Sequence, residues 1–421
     1  MDYFHFQNSS LLCESVPLRE LAVQFGTPLY VYSYATLARH YLAFDRALSD
    51  LDHLICYAVK ASPNLALIRA LGNLGGGADV VSGGELFRAF EAGIPPGKIV
   101  YSGVGKTIEE IEYALRRGIL MLSVESAAEM RRISEIAGRL SVTARVGFRL
   151  NPDVDAKTHE HISTGLKANK FGLDRKTVLE LAVEASSDPN LEPAGVTFHI
   201  GSQIMEVAPF VAAVEIAADV VRDLKRRGVP IRYLDCGGGL GVRYGSETPP
   251  EPDEYARAIV LALKDLKVTV ILEPGRSIVG NAGVLVTRVI GVKRTDRKTF
   301  VIVDAGMNDL IRPVLYDASH EIVPVVKNGR PAEKVDLVGP ICESGDFLGK
   351  DVLLPGVDEG DLLCVRTAGA YGFSMSSQYN ARPRAAEVLV HEEKVDLIRA
   401  RERFDDLIRG EKIPDWLKGS R

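Results

Sequence analysis

The sequence predicts an α/β chain in which a (β/α)8 barrel is followed by an antiparallel β-domain. Three observations carry this. Between residues 54 and 273, eight short β-branched runs alternate with longer amphipathic ones, the count and order of parallel βα units closed into a barrel. Past about residue 282, strand-like runs follow one another closely, with Gly and Pro turns and no helix-sized insertions, as in an antiparallel domain. The 421 residues are 46% hydrophobic and 25% charged, ordinary for a folded chain with a large core. The expected division is 26–282 for the barrel and 1–25 plus 283–421 for the β-domain.

In chain order, LYVYS (29–33) precedes the barrel. Its strands are LICYAV (54–59), ADVV (78–81), KIVYS (98–102), LMLSV (120–124), TARVGFRL (143–150), AGVTFHI (194–200), RYLDC (232–236) and TVILE (269–273). Two of the helical stretches end in Arg-Arg-Gly, at Arg116–Gly118 and Arg226–Gly228. Cations favoured by the helix dipole and then a left-handed glycine suit a helix C-terminus. The later strands are VLVTRVIGV, TFVIVDAG, IVPVV, VDLVGPI, DVLLP, DLLCVRTAG and AAEVLVH. The last stretch, EEKVDLIRARERFDDLIRGE (392–411), is expected as a charged amphipathic helix.

Composition excludes several function classes. Lys plus Arg number 51 against 56 Asp plus Glu, a net charge of −5, without the basic footprint of a nucleic-acid binder. The five cysteines (Cys13, Cys56, Cys236, Cys342, Cys364) are widely spaced with no C-x-x-C pair, against a disulfide framework or structural zinc. The opening residues lack a basic n-region and an apolar h-region. No run approaches the ~18 apolar residues of a membrane span. A cytoplasmic protein with no nucleic-acid or membrane partner is expected.

In such a barrel, chemistry sits where strands end at the C-terminal mouth. There fall Lys60 after the first strand, Asp79 in the second, Arg149 in the fifth, His199 in the sixth, Gly237-Gly238-Gly239 after the seventh, and Glu273-Pro-Gly275-Arg276 at the eighth. Consecutive glycines can turn their N–H groups inward around an anion, and the loops after strands seven and eight often hold phosphate. Arg276 strengthens a phosphate reading. Two motifs fail. Gly105-Lys106-Thr107 lacks the first glycine of a P-loop, where Val100 stands, and GGGLGV has Val242 at the last glycine of G-x-G-x-x-G. The His159-Glu160-His161 triplet has no obvious third ligand, so no metal is expected.

Lys60 alone could snorkel to solvent or pair with a carboxylate. Burial at a barrel mouth would instead lower its pKa toward a nucleophilic amine able to form a Schiff base. Beside a phosphate site, a cofactor bearing both aldehyde and phosphate, pyridoxal 5'-phosphate, accounts for both features. Glu273 would then face the pyridine nitrogen and keep it protonated.

With these residues assembled, the chain resembles the fold-type III pyridoxal phosphate-dependent decarboxylases, which share an alanine racemase-like architecture. Within them it is most similar to the members that act on diaminopimelate. The resemblance runs through YAVKA (57–61), GADVVSGGEL (77–86), FRLNPDV (148–154), HISTGLKANKFG (161–172), FHIGSQI (198–204), LDCGGGLG (234–241), EPGRSIVGNAG (273–283), DAGMNDLIRPVLYDASHEI (304–322), GPICESGDFLG (339–349) and AGAYGFSMSSQYNARPRAAEVLV (368–390). It implies that Lys60 carries the cofactor as a Schiff base and that His199 stacks on the ring. It also implies that Ser202, Gly237–Gly239, Gly275 and Arg276 hold the phosphate near Tyr371, with Asp79 and Arg149 in support. Arg276, Arg312 and Tyr316, with Tyr371 close by, would receive the distal carboxylate of the amino-acid substrate, and Glu343 its ammonium. Cys342 would reprotonate the carbanion from the second subunit of a homodimer with shared sites. One departure is Ser62, where many relatives carry Asn.

The implied activity is decarboxylation of meso-2,6-diaminopimelate to L-lysine and carbon dioxide, the last step of lysine biosynthesis. Arg312 and Tyr316 suit a second carboxylate, whereas an ornithine-type enzyme would need an acidic residue for its distal ammonium. A carboxynorspermidine decarboxylase remains the nearest enzyme alternative, and a non-catalytic regulator of the same fold is the alternative from a different class. A racemase of this architecture would place arginine where Glu273 stands, and a cofactor-free Schiff-base aldolase would leave Glu273 and the glycines unexplained.

Overall fold

A computed structural model describes residues 2–155 and 170–418. Contacts divide the described residues into two units: those within 1–3, 33–283 and 367–374 in the first, and those within 4–32, 284–366 and 375–421 in the second.

The first unit is built on eight parallel strands: β1 (His53–Ala58), β2 (Gly77–Val80), β3 (Ile99–Tyr101), β4 (Met121–Val124), β5 (Ala144–Arg149), β6 (Leu191–Thr197), β7 (Tyr233–Asp235) and β8 (Thr269–Leu272). They pair in chain order, and β8 returns to β1 with Val270 opposite His53, closing the barrel. Cys56, Val100, Met121, Ala194 and Ile271 fill its interior. Met121 fits because Gly147 and Gly195 flank it. A Cβ at either would lie 2.6 or 2.9 Å from its sulfur, closer than packing allows. The register sets Ala58 opposite Asp79, so Lys60, two residues beyond β1, emerges at the same mouth as Asp79.

The outer helices start and stop where local chemistry directs. Helix Ile108–Arg117 opens on a capping box in which Thr107 and Glu110 satisfy each other's backbone N–H groups, and it ends at left-handed Gly118. Thr107 of the discarded P-loop-like triplet is thus a helix cap. Helix Ala208–Arg226 carries Lys225 and Arg226 in its last turn, and Gly228 follows with a φ of 81°.

The second unit holds a small antiparallel sheet (Phe4–Gln7, Ser10–Cys13, Val16–Pro17) and a nine-stranded sheet. LYVYS lies in the larger sheet, as strand Leu29–Ser33, between Gly283–Arg294 and Ala386–His391. Leu11, Leu18, Leu29, Val31, Val284, Val286, Cys364, Val388 and Val390 pack one core. The expectation of an antiparallel sheet needs one amendment, because Thr299–Val303 runs parallel to Ala332–Val338. The expected C-terminal helix is also replaced. Residues Lys394–Arg399 form a strand paired antiparallel to Ala386–His391, with Val390 opposite Val395. Among the described residues beyond it, only Phe404–Leu407 is α-helical. The pairing satisfies a buried carboxylate, since Glu387 is fully enclosed and binds the Arg399 guanidinium. A helix would leave that charge without its cation, an expensive arrangement.

Candidate active site

Lys60 sits in a single 3-10 turn, Val59–Ala61, directly after β1. Its Nζ donates to Asp79 Oδ2 at 2.6 Å, and the Asp79 side chain is fully buried. Burial pulls the lysine ammonium down, but the carboxylates of Asp79 and Glu273, and then Tyr371, outweigh it, so the net shift is upward. This corrects the expectation of a lowered pKa. The reason is that β2 and β8 each bring a carboxylate to the amine.

Glu273 follows β8, and its backbone N–H donates to Gly237 O at 2.7 Å. Its carboxyl is driven up by burial, by Asp235 and by Asp79. Asp235, the last residue of β7, is only 1% exposed. Its carboxyl is raised to about 7 by desolvation, against the hydrogen bonds that favour its charged form. His199 is depressed to about 3 by burial and by the charges of Lys60 and Arg149. Its ring is therefore neutral, and its Nδ1 accepts the Gly238 N–H at 3.2 Å.

The glycine run works differently from an open three-donor nest. Gly237 N–H donates to Asp235 Oδ1 at 2.9 Å, and Gly238 N–H goes to His199. These residues are glycine because the loops pass too closely for a side chain. A Cβ on Gly237 would lie 2.5 Å from Phe198 O, one on Gly238 2.2 Å from Glu273 O, and one on Gly239 2.5 Å from Gly201 O. Gly275 lets its loop lie close to the lysine turn, since a Cβ there would come within 3.0 Å of the Cβ atoms of Ala58 and Ala61.

Arg276 is buried and held on three sides. Nη1 donates to Tyr244 Oη at 2.5 Å, Nε and Nη2 reach Ser202 Oγ at 3.4 and 3.2 Å, and the Tyr371 ring lies 4.9 Å from the guanidinium carbon. Tyr371 is itself fixed by a backbone bond to Ala61 O at 2.8 Å and has a φ of 56°. A cavity of about 370 Å³ is lined by Lys60, Arg149, His199 and Glu273 together with Ser102–Gly105 and Phe171, within the range of small-molecule sites. Ser202, the glycines and Arg276 lie outside its lining.

Arg312, Tyr316, Cys342 and Glu343 belong to the second unit. Arg312 opens a short helix, Arg312–Tyr316, and its Nη1 lies 3.2 Å from His320 Nε2. Cys342 is a free, exposed thiol whose N–H donates to Asn380 Oδ1 at 2.7 Å, and Tyr379 Oη donates to Glu343 Oε2 at 3.4 Å. The other four cysteines are buried. Most of HISTGLKANKFG, and the whole His159-Glu160-His161 triplet, fall outside the described residues.

A model of the pyridoxal binding domain of pyridoxal-dependent decarboxylases matches residues 34–280. The diaminopimelate decarboxylase of Vibrio cholerae serotype O1 is 52% identical over 97% of this chain and 98% of its own length. The chain belongs to the diaminopimelate decarboxylase family. Among solved members, the Helicobacter pylori diaminopimelate decarboxylase complexed with L-lysine has a TM-score of 0.91 at 45% identity, covering 93% of this chain and 98% of that one. The M. jannaschii diaminopimelate decarboxylase in complex with L-lysine has a TM-score of 0.94 at 40% identity, covering 99% of each.

The residues present fit the pyridoxal group that the family's name implies. Asp79 Oδ1 is a buried acceptor with no hydrogen-bond partner, an arrangement that asks for one. Amine, neutral imidazole and carboxyl share one cavity, and a guanidinium with a hydroxyl beside it suits a phosphate. Sequence reasoning missed Tyr244 and Asp235. Asp235 stands two residues before the glycine run, and Tyr244 five residues after it. Among the described residues, no three metal-ligating side chains converge and no helix is long and apolar enough to cross a membrane.

Proposed function

We propose that this chain converts meso-2,6-diaminopimelate to L-lysine and carbon dioxide with pyridoxal 5'-phosphate. The observation that carries the reading is the convergence of Lys60, Asp79, His199 and Glu273 in a chain 52% identical to a diaminopimelate decarboxylase over 97% of its length. When bound, the cofactor supplies an aldehyde for an amine and a sink for the electron pair left as carbon dioxide departs.

Each residue then has a task. Lys60 Nζ would hold the aldehyde carbon, with Asp79 Oδ2, 2.6 Å away, the nearest acceptor for the proton the amine gives up. Glu273 would face the ring nitrogen. His199, uncharged at neutral pH, would lie against the ring without repelling its positive charge. Ser202 and Arg276 would hold the phosphate, with Tyr371 covering the guanidinium. Arg312 and Tyr316 receive the distal carboxylate, Glu343 the distal ammonium, and the Cys342 thiol returns a proton to Cα. Cys342 acts from a second copy of the chain, so mixing Lys60→Ala with Cys342→Ala chains should restore activity. No recovery in proven mixed dimers refutes shared sites.

The cofactor assignment is tested by reducing the yellow protein with borohydride and mapping the modified peptide. A pyridoxyl mass on Lys60, absent from Lys60→Ala, is the expected result. Label on another lysine overturns the assignment.

A further inference from the structure

We propose that Lys106 is a positioning residue for the cofactor face, acting through Glu129 and Glu125 on Arg149 and on the 102–105 and 170–172 segments. The proposal rests on the function proposed above and extends it to a residue outside the cavity.

The Lys106 ammonium has no exposed side-chain surface. It donates to Gly103 O and Ser123 O, both at 2.6 Å, and to Glu129 Oε1 at 3.0 Å. All three of its donors are thus used, one of them to tether the loop that lines the cavity from Ser102 to Gly105. Glu129 carries the link onward, since its Oε2 accepts the Glu125 N–H at 2.6 Å. The Glu125 carboxylate then binds in two directions. Oε1 takes Arg149 Nη1 at 2.5 Å, and Oε2 takes the Gly172 N–H at 2.9 Å. Between these, Arg149 stacks 4.7 Å over Phe171.

Three pieces of the cavity wall that are distant in sequence therefore converge on one buried quartet. Lys106 and Arg149 balance Glu125 and Glu129, so its net charge is zero. Such a network fixes geometry only while complete, because a buried charge without its partner is strongly unfavourable. Burial pushes the Lys106 ammonium down, and Glu129 and Glu125 oppose that. Glu129, Glu125, Arg149 and the Tyr101 ring, 5.8 Å away, are the groups that face it. The arrangement also accounts for the Gly105-Lys106-Thr107 triplet. Its lysine points into the protein and binds carbonyls and a carboxylate, not a nucleotide.

Stability and positioning are separated by two variants. Lys106→Met leaves Glu129 buried and unpaired, so both the melting temperature and pyridoxal phosphate affinity should fall. Adding Glu129→Gln removes the stranded charge, and the amide oxygen still accepts the Glu125 N–H. The double variant should therefore melt near the wild type yet keep a pyridoxal phosphate dissociation constant raised about tenfold or more, the equivalent of one charge-assisted hydrogen bond. Its kcat at saturating cofactor should stay reduced. If the double variant regains both stability and affinity, or if Lys106→Met leaves affinity unchanged, the proposal is wrong. A wild-type chain that takes up no pyridoxal phosphate refutes the proposed function instead, while the melting comparison still reports whether Lys106 and Glu129 act as a pair.

Discussion

Tyr244→Phe probes one contact in the proposed phosphate-binding cluster. The substitution removes only the hydroxyl that accepts from Arg276 Nη1 at 2.5 Å. The ring stays beside the guanidinium, 5.8 Å from its carbon, and the backbone N–H keeps its bond to Glu247 Oε2. A hydrogen bond to a charged group contributes about 1.5–3 kcal/mol, which is about 10- to 150-fold in an equilibrium constant. Arg276 retains its two longer bonds to Ser202, at 3.2 and 3.4 Å, so the lower end applies. Titration of cofactor-free protein should show pyridoxal phosphate binding weakened about tenfold. Pyridoxal, which lacks the phosphate, serves as the control and should bind the variant as it binds the wild type. Equal weakening of both ligands would show that Tyr244 supports the fold rather than an anion site, and an unchanged dissociation constant for pyridoxal phosphate would show that the Tyr244 hydroxyl plays no part in binding it.

Three further outcomes follow from the geometry. Gly238→Ala places a Cβ 2.2 Å from Glu273 O, so the end of β8 must shift. The overpacking costs about 1–3 kcal/mol, read as a lower denaturant midpoint, with cofactor affinity falling as Glu273 moves. His199 has a folded pKa of about 3 against an ordinary 6.5. The unfolded chain therefore binds the extra proton, and the stability His199 confers is present above pH 6.5 and lost as pH falls toward about 3. His199→Asn should flatten the acid limb of stability by at most about 1.4 kcal/mol per pH unit, and an unaltered slope would show that the imidazole is already charged. Arg399→Met strips the cation from fully buried Glu387, which keeps its bond from Tyr32 Oη at 2.9 Å. Limited proteolysis at the Glu392–Glu393 turn should accelerate, whereas a helical segment there would show no such link to Glu387.

The barrel was legible because every strand is a short β-branched run bounded by helix signals, and each of the eight expected strands overlaps an observed one. The rim was legible for the same reason: residues just past a strand's end must face the mouth. The C-terminal segment was misread because Val395, Leu397, Phe404, Leu407 and Ile408 fit a helical stripe about as well as an alternating strand. What decides between them is Glu387, a carboxylate twelve residues before Arg399. The direction of the Lys60 shift was hidden likewise, since Asp79 and Glu273 reach it from other strands. Tyr244 and Lys106 carry no motif of their own. Their parts follow from what they touch, which only the folded chain supplies.

One comparison of substrates decides the activity. Carbon dioxide release should be measured with added pyridoxal phosphate from meso-diaminopimelate, ornithine, arginine and carboxynorspermidine in parallel. Turnover of meso-diaminopimelate with lysine as product is the expected result, together with loss of that turnover in Lys60→Ala. Preferential turnover of any of the other three, or silence on all four from a folded protein that has taken up the cofactor, would contradict it.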